Sequence, residues 1–343
     1  MTPRDRMLTA IRHQTPDRIP AEAICVENVP ALAAALGIAE DAVLDRLGLC
    51  GRIVGLGAYA GARPWDAALG PWGVSETGDY GTARANPLAE ADRAALARYP
   101  WPDADAYDVT APAAAARACA DTYAVRGPYW MPIFCQASAL MGIEEALITL
   151  ATEPVLVDDL LARITDHTLA ACTRLLDACG DDMPILCLGD DFASQRGLLM
   201  SPALWRRHLK PCYARLFALG KARGKVVWFH SCGDVTAVLP DLLDIGVDVW
   251  ETVQLHTLPL SAVALKREYG AHLTFFGGVS TQRLPFATPD EVAAETRHCL
   301  DVLGEGGGYI CGPDHHVKPD VSPANTLALF DTVAGFRRVG YTA

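Results

Sequence analysis

The stretch Lys225–Asp234 reads "KVVWFHSCGD". Its first half is apolar without the polar–apolar alternation of a strand that faces water on one side. A short run of this kind is a strand covered on both faces, the mark of a parallel sheet in an α/β protein. Its second half is polar, with His230 and Cys232 one residue apart. Side chains at i and i+2 of an extended chain project to the same side, so these two can converge on one point at the end of the strand.

Working outward, similar runs recur. They are "YWMPIF" at 129–134, "MPILCLG" at 183–189, "VDVWE" at 247–251, "HLTFFGG" at 272–278 and "GGYICG" at 307–312. Amphipathic helical segments fall between them, such as "GIEEALITLATEPVLVDDLLARITDHTLAACTRLLDACG" and "TPDEVAAETRHCLDVLG". In the latter, Thr288, Pro289 and Glu291 form a capping-box signature. About eight such strand–helix units predict an α/β fold, a (β/α)8 TIM barrel, in preference to an open doubly wound sheet. The dinucleotide fingerprint is missing: "GEGGGY" precedes a strand, so its glycines are turn residues. We expect one barrel domain over 1–343, with 1–105 an N-terminal helix and loop elaboration and 106–343 the regular units. The elaboration opens on an amphipathic helix carrying Met7, Leu8 and Ile11, and its stretch "ARPWDAALGPWGVSETGDYG" reads as short paired strands and loops.

The 343 residues are 51% hydrophobic and 20% charged, as in a well-packed enzyme. A net charge of -12 without a Lys/Arg cluster argues against a nucleic-acid partner. Eleven scattered cysteines without a C-x-x-C fit free thiols in a reducing compartment. The N-terminus has no apolar signal region, and no run reaches the roughly 20 apolar residues that span a bilayer. A cytoplasmic protein without a membrane partner is expected, and a homodimer is compatible with this.

Chemistry in parallel barrels gathers at the carboxyl ends of the strands. Here those ends carry Asp190 and Asp191, then His230 and Cys232, then Glu251, and finally "CGPDHHVKPD" with Cys311, Asp314, His315 and His316. Zinc takes thiolate, imidazole and carboxylate ligands in tetrahedral sets, and a catalytic site leaves one position for substrate. His230, Cys232 and a third ligand from the last strand would make such a site, with Glu251 as a fourth ligand that substrate displaces. Asp190, Asp191 and Gln195 would line the rim and orient substrate, unless the two acids cap the helix that begins at "SPALWRRHL".

The sequence resembles the uroporphyrinogen decarboxylase superfamily over nearly its whole length. The resemblance rests on "RDRMLTAIRHQTPDRIP", "GIEEALITLATEP", "GDDFASQRGLLMSPALWRRHLKP", "HSCGDVTAVLPDLLDIGVDVWE", "FFGGVSTQRL" and "GGYICGPDHHVKPDVSPAN". It implies a (β/α)8 barrel. The porphyrinogen-binding arginine motif of the true decarboxylases has no match in "PDRIPAEAICVENVPALAAA". The H-x-C in "HSCG" instead resembles the zinc-dependent methyltransferases that work with corrinoid proteins. Cobalamin-independent methionine synthase is a remoter relative, with H-x-C, then Glu, then "NPDCG". Laid against it, "DVWET" supplies Glu251 and "GPDHH" puts His315 where the cysteine stands, with Cys311 as the rival third ligand. The resemblance implies one of two chemistries: zinc activation of a thiol that takes a methyl group from methylcobalamin, or transfer of a methyl group from a small methylated donor, such as a methoxy compound, to a corrinoid (cobalamin) protein, with zinc as Lewis acid. Two imidazoles and one thiolate as ligands favour the second. The alternative is a metal-independent decarboxylase acting on a non-porphyrin carboxylate.

Overall fold

The computed structural model describes residues 1–65, 69–74 and 86–337. Seven strands make its main sheet: β1 (Gly51–Ile53), β2 (Ala124–Pro128), β3 (Ile185–Gly189), β4 (Val226–His230), β5 (Val249–Val253), β6 (Thr274–Val279) and β7 (Tyr309–Pro313). They lie in sequence order and every neighbouring pair is parallel. The sheet is a curled, TIM-like half-barrel rather than a regular ring of eight strands. Between β7 and β1 runs Pro20–Glu22, where Ala21 alone bridges both Cys311 and Leu49. Its bonds are Cys311 N–H to Pro20 O at 2.9 Å, Glu22 N–H to Cys311 O at 3.0 Å and Cys50 N–H to Ala21 O at 3.0 Å. Pro20 has no N–H to donate, which limits the ladder at this position.

Two strands differ from expectation. "YWMPIF" is not a strand: the strand is "AVRGP", and 129–133 form the connection into the helix Phe134–Met141. The buried Arg126 interrupts the apolar run that would have marked β2. β1 lies inside the region read as elaboration, and its three residues are too few for a periodicity signal. Of the Gly/Pro/Trp-rich stretch at 62–81 read as paired strands, residues 66–68 and 75–81 lie outside the described residues. The long helical segment breaks into Ile143–Thr152 and Pro154–Cys179. Pro154 cannot continue a helix from the preceding turn but suits the first position of a new one.

Residues alternate between two cores. Ala124, Ile185, Cys187, Trp228, Val249, Phe276 and Ile310 point inward, and the opening helix Pro3–Ile11 adds Met7 and Ile11 to this interior cluster. The other parity packs under the helices. Pro154–Cys179 presents Val157, Leu160, Leu161 and Ile164 at three- and four-residue spacing, each stabilising by about 1.5–3 kcal/mol on burial. The expected capping box forms: Thr288 Oγ1 accepts the Glu291 N–H at 3.3 Å and Glu291 Oε2 accepts the Thr288 N–H at 2.8 Å. Among the described residues no single helix is long and apolar enough to cross a membrane.

Candidate metal centre

His230 is the last residue of β4, and its parallel partners are Gly189 on β3 and Glu251 on β5. Residues paired across a parallel ladder face the same side, so His230 and Glu251 project inward together. Their side chains meet, with His230 Nδ1 2.7 Å from Glu251 Oε1. Two residues earlier on the same face, the Trp228 indole N–H donates to Glu251 Oε2 at 2.6 Å. With Nδ1 so engaged, Nε2 faces Cys232, whose Sγ lies 3.5 Å away. The Cys232 backbone N–H donates to Asp191 Oδ1 at 2.6 Å, and Thr252 Oγ1 donates to Sγ at 3.7 Å. Gly233 then turns the chain at φ 81°, where a Cβ would stand 2.6 Å from Ser194 O. Only glycine meets both demands at low cost.

From the segment after β7, His315 completes the group. One ligand atom each from His230, Cys232 and His315 lies within 4.8 Å of the others. Tetrahedral zinc with a thiolate at about 2.3 Å and an imidazole at about 2.0–2.1 Å requires an S···N separation of about 3.6 Å, which the Cys232–His230 pair matches. The second-sphere arrangement also fits, because a ligating imidazole ordinarily donates its other N–H to a carboxylate. Burial opposes an imidazolium at His230, yet Cys232, Glu251 and Asp191 together hold its pKa well above the usual value. Burial, and then the neighbouring charges of His230 and His316, depress His315 to about 3. His315 is therefore a neutral base with a free lone pair at ordinary pH. Zinc binds neutral imidazoles and thiolates, so His230 must give up a proton for its Nε2 to take the metal, whereas His315 is already neutral.

The other expected residues divide. Cys311 stands on the outward parity of β7, fully buried beneath the helices, and burial raises its thiol to about 12. It does not join the group. Both Glu251 oxygens are engaged, Oε1 by His230 and Oε2 by Trp228, and Glu251 is not among the three converging residues. Asp190 is withdrawn from the centre: its carboxylate accepts the N–H groups of Ile133, Phe134 and Cys135 at 2.8, 2.6 and 2.9 Å and the Tyr213 hydroxyl at 2.7 Å. It caps the helix Phe134–Met141. The helix at 202 is capped by Ser201, not by either aspartate. Asp191 stays close, 3.6 Å from His230 Nε2. Gln195 is exposed in a hairpin turn. Asp314 accepts the Thr281 N–H and hydroxyl at 2.9 and 2.6 Å. His316 pairs with Glu27 at 2.8 Å, and Lys318 takes the same oxygen at 2.8 Å. Cys25, Glu27 and His316 thus also cluster, but a lysine ammonium already sits on the carboxylate.

Sequence reasoning did not single out Trp228, Tyr129 or Trp130. Tyr129 OH lies 3.4 Å from His230 Nδ1, at a residue whose φ is 79°. The Trp130 ring stands 5.6 Å from the His230 ring at 83° and is 41% exposed. Gly189 leaves room for it, since a Cβ there would stand 2.7 Å from the indole. The signal for Trp228 was its place two residues before His230.

Residues 116–336 match the family model of uroporphyrinogen decarboxylase (URO-D). The chain belongs to this family. Within it, 194 residues are 25% identical to the methylcobamide:CoM methyltransferase MtaA of Methanosarcina barkeri, covering 56% of this chain and 53% of that protein. The chain thus matches about half the length of this curated relative. A solved methyltransferase from Methanosarcina mazei has the same fold, with a TM-score of 0.68 at 18% identity over 97% of this chain and 98% of that one.

Proposed function

We propose that this family member is a zinc-dependent methyltransferase that moves a methyl group from a small methylated substrate, such as a methoxy compound, to a corrinoid protein. The observation that carries the reading is the convergence of His230, Cys232 and His315 within 4.8 Å at the ends of β4 and β7. Zinc bound there supplies Lewis acidity toward the heteroatom that carries the methyl group. Two neutral imidazoles and one thiolate donate less charge than a set with two thiolates. That favours polarising an ether oxygen over activating a thiol. His230, Cys232 and His315 would hold the metal, and Glu251 would fix the orientation of His230 through its Nδ1–H. Asp191, through the Cys232 N–H, would fix the loop that carries the thiolate. The exposed face of Trp130 offers a flat apolar surface beside the centre, suited to the substrate or to the corrinoid ring. The corrinoid partner has support from the name of the Methanosarcina barkeri relative.

A metal-independent decarboxylase would need a carboxylate free to face the reacting carbon. Of the two candidates, Asp190 already accepts four hydrogen bonds, which count against it in that role, and Asp191 accepts the Cys232 N–H and lies 3.6 Å from His230 Nε2. The deciding experiment incubates the enzyme with candidate methoxy compounds and a reduced corrinoid, and follows methylcobalamin formation by its absorption spectrum. A parallel reaction offers methylcobalamin and coenzyme M, the chemistry in the relative's name. We expect a zinc-dependent signal with a methoxy donor. Methyl transfer to the thiol alone would reverse the assigned direction. No transfer in either, with carbon dioxide released from a carboxylated substrate, would overturn the proposal.

A further inference from the structure

Below the metal centre the inward face of the sheet carries charge where a barrel interior is ordinarily apolar. Arg126, in the middle of β2, is fully buried, with Nη1 3.3 Å from Glu22 Oε1 and Nη2 donating to Ala23 O at 3.3 Å. Its guanidinium carbon lies 4.7 Å from the centre of the Trp228 ring. Gly51 on β1 packs flat on the ion pair: a Cβ there would stand 2.6 Å from Glu22 Oε2 and 2.7 Å from Arg126 Nη1. A continuous buried chain therefore runs Glu22–Arg126–Trp228–Glu251–His230 and ends on the imidazole of the metal centre. Burying such charges is costly, and replacing them by apolar side chains often stabilises a protein.

We infer that Trp228 and Arg126 are positioning residues for the metal centre: Trp228 holds the Glu251 carboxylate so that its other oxygen takes the His230 Nδ1–H and Nε2 is presented to the metal, while Arg126 supplies the buried positive charge that balances Glu251 and Glu22. The indole N–H is the directional element, because it engages Oε2 alone and leaves Oε1 for His230. The guanidinium, stacked on the indole, fixes the ring that carries this donor. Outer partners of a ligating histidine typically contribute 10–100-fold to metal affinity. Neither residue touches the ligand atoms, so their effect passes entirely through Glu251.

This inference rests on the zinc reading above. Its test measures zinc affinity directly, by competition with a chromophoric chelator, in three proteins: wild type, Trp228→Phe and Ile310→Val. Phenylalanine keeps an aromatic face for Arg126 but has no N–H. Ile310 belongs to the same interior cluster and has no polar atom to offer Glu251. We expect Trp228→Phe to bind zinc about 10–100-fold more weakly and Ile310→Val to bind it like wild type. Equal affinity in Trp228→Phe and wild type, or an equal loss in both variants, overturns the inference. A wild type that holds no zinc instead refutes the parent reading, and the two failures are thereby distinct. Should Trp228→Phe not fold, nitrogen-15 histidine spectra of the zinc-loaded wild type decide. We expect His230 protonated on Nδ1 with Nε2 on the metal, and the reverse tautomer refutes the chain of contacts.

Discussion

Asp190→Asn separates a scaffold carboxylate from a catalytic one. Asp190 Oδ2 receives the N–H groups of Ile133 and Phe134 and the Tyr213 hydroxyl, and Oδ1 receives the N–H of Cys135. An asparagine of nearly the same shape puts an NH2 where one oxygen stood. In its better orientation the carbonyl keeps the three bonds of Oδ2, and the NH2 confronts the Cys135 N–H. One buried donor then loses its partner, at about 1–3 kcal/mol. The helix Phe134–Met141 also loses the negative charge at its N-terminus, about 1 kcal/mol more in a buried setting. The expected sum is about 2–4 kcal/mol, read as a lower urea midpoint followed by tryptophan fluorescence. Zinc content should stay at the wild-type level, because Asp190 does not reach the donor group. Residual methyl transfer should also persist below the new unfolding midpoint. Unchanged stability with abolished transfer would refute this account and return Asp190 to the reaction.

At the metal centre, His315→Ala should lose zinc while Cys311→Ala keeps it; metal analysis showing the reverse would make Cys311 the third ligand. Chelation should destabilise the wild type, since at a zinc concentration a hundred times its dissociation constant the ion adds about 2.7 kcal/mol; identical melting with and without chelator would speak against a bound metal. On the opposite end of the sheet, Arg6 hydrogen bonds hold Asp17 down to about 2, with the N-terminal ammonium helping. A carboxylate depressed on folding stabilises above its unfolded pKa of about 3.9 and loses that contribution as pH falls toward 2. Partial exposure limits the effect to about 1 kcal/mol, and Asp17→Asn should remove that acid-dependent portion of the stability curve. Matching curves for the two proteins between pH 5 and 2 would exclude it. Finally, Gly312→Ala should unsettle the join between β7 and Pro20–Glu22, because a Cβ there would collide with Glu22 O; a variant with wild-type stability would contradict that close approach.

What the sequence made legible follows from which signals are local. β3 through β7 were found because each is a run of apolar residues of strand length, buried on both faces. The capping box at Thr288 was found because its donors and acceptors lie three residues apart. β2 was missed because Arg126, paired with Glu22 across 104 positions of sequence, breaks its apolar run. The function of Asp190 was missed for the same reason: its partners at 133–135 and 213 lie on other segments. A strand-end aspartate that caps a helix looks, in one dimension, like one that faces a substrate.

The choice between Cys311 and His315 turns on phase. In a strand buried on both faces, every position is apolar, and nothing in "YIC" says which residues look inward. The phase becomes fixed only through tertiary contact: Ile310 joins Trp228 and Phe276 in the interior cluster, so Cys311 must face the helices with Cys299 and Tyr309. β4 poses no such ambiguity, because His230, Trp228 and Cys232 share one parity and their polar atoms reach the same carboxylate or the same ligand group. β5 obeys the same phase, since Glu251 is the ladder partner of His230. Polar groups thus set the inward face of the two middle strands. β7, with an apolar body, places its candidate ligand only after the strand has ended, at His315, where the chain is free of the alternation that turned Cys311 away.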